Sequence, residues 1–162
     1  MTLFEVIRDI INPAALLLPA SMDSSRVRVM LLAIALQESR FKHRVQIMGP
    51  ARGFWQFERG GGTLGVLQHA TSKRHAANVC AARNCDASSR AVHWLLATDD
   101  LLACCFARLL LYTDPRPLPQ IGDIEGAWQY YLDNWRPGKP HRRTWNELYD
   151  EATMFVAVAD LP

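Results

Sequence analysis

The chain has 162 residues, of which 49% are hydrophobic and 21% charged, with nine glycines and nine prolines. This length and composition fit one globular domain and exclude disordered, collagen-like and low-complexity classes. Eighteen Lys and Arg against sixteen Asp and Glu leave a net charge of +2, which gives no electrostatic case for nucleic acid or an anionic membrane as the main partner.

Apolar residues recur at helical spacing through nearly the whole sequence. Asp, Ser and Thr favour helix starts because their side chains cap free backbone N–H groups, whereas proline disfavours a helical residue before it. The predicted helices, in chain order, are residues 3–11, which Asn12 and Pro13 stop; 23 or 24 to about 40, capped by Asp23 or Ser24; 64–69; 72–82; 86 or 88 to about 96, capped by Asp86 or Ser88; 98 or 99 to 111, capped by Thr98 or Asp99; 124–134; and 144–158. No repeat or long linker interrupts them, so we expect residues 1–162 to form a single compact, mainly α domain.

Two segments break the helical pattern. Residues 46–62 contain five glycines around the apolar cluster Phe54, Trp55 and Phe57, which predicts a loop or a small extended segment. Residues 114–119 contain three prolines, so no helix can cross them.

The cysteines and histidines do not indicate a metal or cofactor site. Cys80 and Cys85 lie five residues apart and Cys104 and Cys105 are adjacent, which is not the paired spacing of a zinc site. The five histidines are scattered, without a pair four residues apart. We expect no metal, no cofactor and reduced, buried thiols, with a Cys80–Cys85 disulfide left open for an oxidising compartment.

The sequence predicts neither a signal peptide nor a membrane span. Glu5, Arg8 and Asp9 interrupt the apolar residues at the N-terminus, unlike the apolar core of a signal peptide. The longest apolar stretches, residues 29–36 and 101–107, are far shorter than the roughly 20 residues needed to cross a bilayer.

One acidic residue occupies a position where an apolar one would be expected. On a helical wheel, Glu38 continues the apolar stripe of Val27, Leu31 and Ile34, at the C-terminal end of the second predicted helix. Desolvation and the negative end of the helix dipole both favour its protonated form, which is the form a general acid needs. The alternative is a structural ion pair between Glu38 and an arginine nearby in the sequence, namely Arg40, Arg44 or Arg52.

The glycine-rich segment that follows favours the interpretation of Glu38 as a general acid over that of a structural ion pair. Phe54, Trp55 and Phe57 offer flat apolar faces, and Gln56 offers an amide between them. Sugar rings stack on aromatic faces while amides bond their hydroxyl and N-acetyl groups. A carbohydrate is therefore the substrate class that this combination indicates.

Two short strings carry a resemblance to a known family. They are Ala-Leu-Gln-Glu-Ser-Arg-Phe at residues 35–41 and Gly-Pro-Ala-Arg-Gly-Phe-Trp-Gln at residues 49–56. Together they resemble the Glu-Ser pair and the Gly-Ala-x-Gly-Leu-Met-Gln segment of the soluble lytic transglycosylases, which are lysozyme-like enzymes that cleave peptidoglycan.

The resemblance implies a lysozyme-like domain of the α+β superfamily, mainly α, with a glycine-rich active-site loop. It makes Glu38 the catalytic acid and base, with Ser39 supporting it and Gln56 lining the sugar subsites. Phe54 and Trp55 replace the family's Leu-Met, so they are expected to form a changed subsite wall.

The family's third signature, Ala-Tyr-Asn followed by a glycine, is matched only loosely, by residues 127–138. Trp128 fits best by position after the alanine, while Tyr130 and Tyr131 offer the hydroxyl. The two tyrosines are therefore candidate substrate-binding residues, and the choice among the three aromatic residues stays open.

The resemblance also implies a mechanism. Glu38 would protonate the β-1,4 bond between N-acetylmuramic acid and N-acetylglucosamine, and then take a proton from the muramoyl 6-hydroxyl to give a 1,6-anhydro product. The competing reaction is hydrolysis by a muramidase with a second carboxylate. Glu58 is the nearby acid in the loop, and a surface residue is the interpretation favoured for it. The partner would be glycan strands, and we expect a monomer.

The chain's size and the lack of a signal sequence are similar to phage and prophage lysozyme-like proteins, including endolysins. Such a protein would be made in a host cytoplasm and act on the cell wall. Two non-enzymatic alternatives stay open: a phage structural module with this fold, and a helical nucleic-acid-binding protein, which the net charge of +2 disfavours. A basic segment, read as solvated surface or as a contact for carboxylates or phosphates of wall polymers, contains Arg136, Lys139, His141, Arg142 and Arg143.

Overall fold

Helices account for 64% of the residues in a computed structural model that describes residues 1–159. In chain order the α-helices are α1 Leu3–Val6, α2 Asn12–Ala15, α3 Ser25–Ser39, α4 Leu64–Gln68, α5 Lys73–Ala82, α6 Ser89–Leu95, α7 Asp100–Thr113, α8 Ile124–Trp135 and α9 Arg142–Ala159. Within residues 1–159 no strand forms, and only the isolated bridges Val45–Arg52 and Arg52–Phe57 pair extended backbone. The prediction of a compact, mainly α single domain is confirmed.

The central element of the fold is α3, which is apolar on all sides and buried between α7 and α9. Ser24 caps it by accepting a hydrogen bond from the Val27 N–H. Of the two predicted caps, Asp23 and Ser24, the structure therefore uses Ser24. Asp23 instead forms an ion pair with Arg28 at 2.7 Å. α3 is buried continuously over residues 29–36, which carries its C-terminal end, with the half-buried Glu38, to the edge of the core.

The prediction that Asn12 and Pro13 stop the first helix is wrong. Helical backbone continues from α1 through a π-helical turn, Ile7–Ile11, into α2, and Asn12 itself has helical dihedral angles of φ −60° and ψ −49°. The Asn12 N–H bonds the Ile7 carbonyl, five residues back, which is the wider spacing of a π turn. We attribute the continuation to this widening, which relieves the crowding that a proline ring causes in a regular α-helix.

The other predicted helices form with small changes at their ends. Ser88 and Asp99 are the caps that accept backbone hydrogen bonds, from Ala91 and Leu102 respectively. α9 begins two residues earlier than predicted, and the predicted loop ends in a further π-helical turn, Arg59–Thr63. None of the helices in the described part of the chain is long and apolar enough to cross a membrane.

Candidate active site

A cleft of about 1160 Å³ opens beside the C-terminal end of α3. Its walls are the loop after α3, the π turn with α4, and the C-terminal end of α8 with the connector to α9. The residues that line it include Gln37, Glu38, Gln56, Phe57, Glu58, Gly62, Tyr131, Asp133, Trp135, Arg136, Lys139 and His141. This volume slightly exceeds the roughly 300–1,000 Å³ of typical small-molecule pockets, so the open cleft has room for more than one unit of a polymer.

Glu38 lies in the wall of this cleft, on the last turn of α3. Its carboxyl Oε1 accepts a hydrogen bond of 2.6 Å from the Tyr131 hydroxyl of α8. Burial raises the pKa of Glu38 from 4.5 to about 7, although the hydrogen bond from Tyr131 opposes the rise by favouring the charged form. The carboxyl group is therefore protonated in a substantial fraction of molecules at neutral pH.

Glu38 does not form the structural ion pair with a nearby arginine that was the alternative to its role as a general acid. Arg44 bonds Asp100 through two nitrogen atoms, at 2.7 and 2.8 Å, and its guanidinium lies 4.1 Å from the centre of the Phe54 ring. Arg52 stacks on Trp94 at 5.0 Å. No salt bridge among residues 1–159 involves Glu38.

Tyr131 is fixed by a stack of aromatic rings. Its ring lies 5.2 Å from that of Trp145, nearly parallel at 14°, and 5.3 Å from that of Trp128. Burial and the neighbouring Glu38 raise the pKa of its hydroxyl, so Tyr131 remains a donor at neutral pH. Since it donates to Oε1, the proton of a neutral Glu38 belongs on Oε2.

Tyr131 is thus the aromatic residue of its segment that meets Glu38. Tyr130 points away from the cleft, because its buried hydroxyl donates to the Leu111 carbonyl at 2.9 Å. Trp128 is 8% exposed and belongs to the aromatic stack behind Tyr131. The expectation that Tyr130 binds substrate is therefore not met by its position.

Ser39 supports Glu38 only through the backbone. Its buried hydroxyl donates to the Ala35 carbonyl at 3.2 Å and accepts from the Phe41 N–H at 3.2 Å. The chain turns there, since Arg40 and Phe41 both have left-handed dihedral angles. Ser39 therefore organises the end of α3 beside Glu38 and does not line the cleft.

The two aromatic residues expected as a sugar-binding wall lie in the core. Phe54 is 1% exposed and Trp55 is completely buried. The Trp55 indole N–H donates to the Leu31 carbonyl at 2.9 Å, and both rings contact Phe41 edge to face. They attach the loop to α3 and cannot stack on a ligand.

Gln56 does line the cleft, as expected. Its Nε2 donates to the Gly53 carbonyl at 2.7 Å and to the His43 carbonyl at 3.3 Å. Both donor hydrogens are used by the loop, which leaves Oε1 as the atom that can accept from a ligand.

Trp135, which was not among the residues expected to bind substrate, supplies an aromatic surface to the cleft. It is half-buried, its indole N–H donates to the Trp55 carbonyl at 2.9 Å, and its ring contacts Phe57 edge to face at 5.9 Å. The π turn packs closely against the Phe57 ring. Residue 62 must be glycine there, because a Cβ would lie 2.8 Å from that ring. The helical spacing from Tyr131 to Trp135, four residues on the same face, is the signal that could have identified this residue.

Two further carboxylates line the cleft. Asp133 is paired with Arg116 at 2.9 Å. Glu58 is exposed, and no salt bridge in the described part of the chain uses it. Glu58 is therefore the acid that a two-carboxylate reaction would use.

The cysteines are unbridged, including Cys80 and Cys85. Burial raises the pKa of the Cys80 thiol to about 12, which disfavours the reactive thiolate. Within residues 1–159, no group of three or more His, Cys, Asp or Glu side chains is arranged to hold a metal ion.

Comparison with known proteins gives no relative for this site. No protein-family model, curated protein or solved structure matches the chain.

Proposed function

We propose that the protein is a lysozyme-like enzyme that cleaves the glycan strands of peptidoglycan, with Glu38 as general acid, and that it acts as a lytic transglycosylase. The observation that carries the proposal is a carboxyl group with a pKa of about 7 in the wall of a polymer-sized cleft, held by one tyrosine and by no cation. A structural carboxylate would be paired with a cation or exposed to water. A general acid needs this environment, because it must hold its proton at neutral pH.

The proposed reaction uses Glu38 twice. The proton on Oε2 passes to the glycosidic oxygen as the bond from that oxygen to C1 of N-acetylmuramic acid breaks, and the oxygen of the 2-acetamido group attacks C1 in its place. The Glu38 carboxylate then takes the proton of the 6-hydroxyl, whose oxygen displaces the acetamido group from C1. The 1,6-anhydro ring closes, and Glu38 regains its proton for the next cycle.

Tyr131 positions the acid in this scheme. Its hydroxyl holds Oε1, so the carboxyl group cannot rotate freely and Oε2 keeps the proton that is transferred. When Glu38 becomes charged, the same hydrogen bond stabilises the carboxylate. The aromatic stack behind Tyr131 keeps the donor in place during both steps.

Hydrolysis is the second candidate reaction, because Glu58 lines the same cleft and is exposed. In that case a water molecule, activated by Glu58, would attack C1 and the product would have a reducing end. The two reactions use the same acid and differ in the second group.

Digestion of purified peptidoglycan followed by mass spectrometry tests both points. We expect soluble fragments that end in 1,6-anhydro-N-acetylmuramic acid, and we expect Glu38→Gln to release none. Fragments with reducing ends that disappear in Glu58→Gln would replace the transglycosylase by a hydrolase. Release of fragments by a folded Glu38→Gln variant would remove the proposed acid altogether.

A further inference from the structure

One wall of the cleft carries positive charge that the reaction scheme does not use. Residues 136–141, here called the connector, join α8 to α9 and place Arg136, Lys139 and His141 in the cleft wall. The connector contains no acidic residue. No salt bridge among residues 1–159 involves Arg136 or Lys139.

The connector is held at both ends. The Arg136 N–H bonds the Leu132 carbonyl at 2.9 Å, which keeps its first residue on the end of α8. At the other end, the Gln37 side chain donates to the His141 carbonyl at 3.1 Å and accepts from the Thr144 hydroxyl at 3.1 Å. Gln37 precedes Glu38, so the connector is attached to the helix that carries the proposed acid.

The connector's composition limits its movement further. Pro137 and Pro140 fix their own φ angles and restrict the backbone of the residues before them, which are Arg136 and Lys139. Because the backbone of the connector is already restricted, the freedom lost when Arg136 and Lys139 bind an anion is mainly that of their exposed side chains. The neighbouring cleft residue Asp133 shares Arg116 with Asp114, and no salt bridge in the described part of the chain joins Asp133 to Arg136 or Lys139.

We infer that the connector binds carboxylates carried by the N-acetylmuramic acid units of the strand. This inference rests on the proposed function, because that function puts a strand in the cleft. N-acetylmuramic acid bears a lactyl group that ends either in a free carboxylate or in a stem peptide with carboxylates of its own. Arg136 and Lys139 supply the cationic donors that carboxylates prefer, so the connector selects strands that carry these groups over uncharged polymers of N-acetylglucosamine.

Binding to purified peptidoglycan sacculi, measured by co-sedimentation at low salt, tests the inference. All proteins carry Glu38→Gln so that the sacculi stay intact. We expect Arg136→Gln with Lys139→Gln to weaken binding by about five- to tenfold, as two partly exposed charge contacts allow. The matched control is Arg143→Gln, an exposed arginine outside the cleft wall, which should bind within about twofold of the parent protein.

Chemically altered sacculi identify the group that is bound. Sacculi whose carboxylates have been converted to neutral amides should bind the parent and the double variant equally. An amidase that removes the stem peptides exposes the lactyl carboxylate and also frees the glycan strands from their peptide cross-links, so these strands are attached to beads before the same sedimentation measurement. If the effect of the double variant survives on them, the lactyl group is the ligand, and if it is lost, the peptide carboxylates are.

Two results would overturn the inference: binding of the double variant to intact sacculi as tight as that of Arg143→Gln, or an equal loss on amidated sacculi. Failure of the proposed function is a separate result, because it is measured by fragment release from protein with Glu38 intact. A protein that binds carboxylates through the connector and releases no fragments would refute the reaction alone.

Discussion

At the scale of single residues, the environment of Glu38 is decided by what is absent from its surroundings as well as by what contacts it. Of the three arginines that follow it, Arg44 pairs with Asp100 and Arg52 stacks on Trp94, while Arg40 forms no salt bridge with Glu38 among the described residues. Within the described residues the carboxyl group has one hydrogen-bond partner, Tyr131, which is neutral. Burial therefore dominates, and the pKa rises to about 7.

The activity should depend on pH through this group. Glu38 must be protonated for the first step, so we expect kcat/KM to fall above about pH 7, by about tenfold for each further pH unit. Initial rates of dye release from labelled peptidoglycan measure this decrease. They are recorded from about pH 5 to about pH 9, roughly two units on either side of the pKa of Glu38. A rate that is constant to pH 9 would show that another group donates the proton.

Replacing Tyr131 should shift the pH at which kcat/KM begins to fall. Tyr131→Phe removes the hydrogen bond that lowers the pKa of Glu38, so we expect this pH to rise. The maximal rate should fall by about tenfold, because one hydrogen bond to a charged group, worth ~1.5 kcal/mol, no longer orients the acid. Tyr130→Phe is the matched control, since its hydroxyl bonds Leu111 away from the cleft, and it should leave this pH unchanged. Equal shifts in both variants would contradict the role given to Tyr131.

At the scale of elements, the end of α3 and the loop behind it determine where Glu38 is held. The α3 C-terminus turns through two left-handed residues, and Ser39 bonds the backbone on both sides of the turn. Trp55 and Gly53 then pack the following loop against α3 and the α6–α7 region. These contacts are structural, but they set the position of the carboxyl group.

Ser39→Ala should destabilise the fold. The variant leaves the buried Phe41 N–H without its acceptor, at a cost of about 1–2 kcal/mol in the free energy of unfolding. Urea denaturation measures the change. Thr98→Ala is the control, because that exposed hydroxyl also donates to a helical carbonyl, of Leu95, and should cost less than about 0.5 kcal/mol. A similar decrease in the free energy of unfolding in both variants would mean that the Ser39 hydrogen bonds stabilise the fold no more than the exposed hydrogen bond of Thr98 does.

Gly53→Ala should be more damaging than an ordinary glycine substitution. Gly53 has a φ of +75°, and a Cβ there would lie 2.9 Å from the Leu96 carbonyl oxygen, which is backbone. We expect a loss of about 2 kcal/mol or more in thermal or urea unfolding. The control Gly65→Ala lies in α4, where a Cβ would meet nothing within 4 Å, and should be neutral or stabilising by up to about 1 kcal/mol. If the two variants unfold alike, the close packing of the loop is not as described.

At the scale of the whole molecule, a buried acid that ionises inside the fold lowers stability. The pKa of Glu38 is about 7 in the folded state and near 4.5 in an unfolded chain, so between these values the folded state binds more protons. Stability therefore falls as pH rises through this window and levels off above it. The full difference amounts to about 3 kcal/mol.

Glu38→Gln should remove this dependence, because an amide does not ionise and its oxygen can still accept from Tyr131. We expect the variant to match the parent protein near pH 4.5 and to exceed its free energy of unfolding by up to about 3 kcal/mol at a pH above 7, in urea denaturation at both values. Other titrating groups are common to both proteins and cancel in the difference. A variant that is less stable than the parent at high pH would show that the charged carboxylate is favourably solvated.

Much of this arrangement could be predicted from particular residues. The caps Ser24, Ser88 and Asp99 work through neighbours three residues away, and Glu38 follows from the apolar stripe of its own helix. Local spacing contains all of that information. The continuation of the first helix through Pro13 was missed, because a π turn depends on how the helix packs.

The positions of the aromatic residues relative to the cleft could not be predicted from local sequence. Tyr130 and Tyr131 are adjacent and chemically identical, and only the placement of α8 against α3 selects Tyr131 for Glu38. Trp55 offered a stacking face in the sequence, but the fold buries it and leaves Trp135 in the cleft.

The amino-acid order alone determined most of the helices, two candidate caps for each of three of them and the acid at the boundary of the core, since each depends on residues within a turn or two of the chain. The tertiary structure decided which side chains meet that acid, which aromatic surface faces the cleft, and that the connector cations stand in its wall. Those contacts join residues up to 107 positions apart, as Gln37 and Thr144 are. Their geometry is set by how the helices pack, which local spacing does not encode.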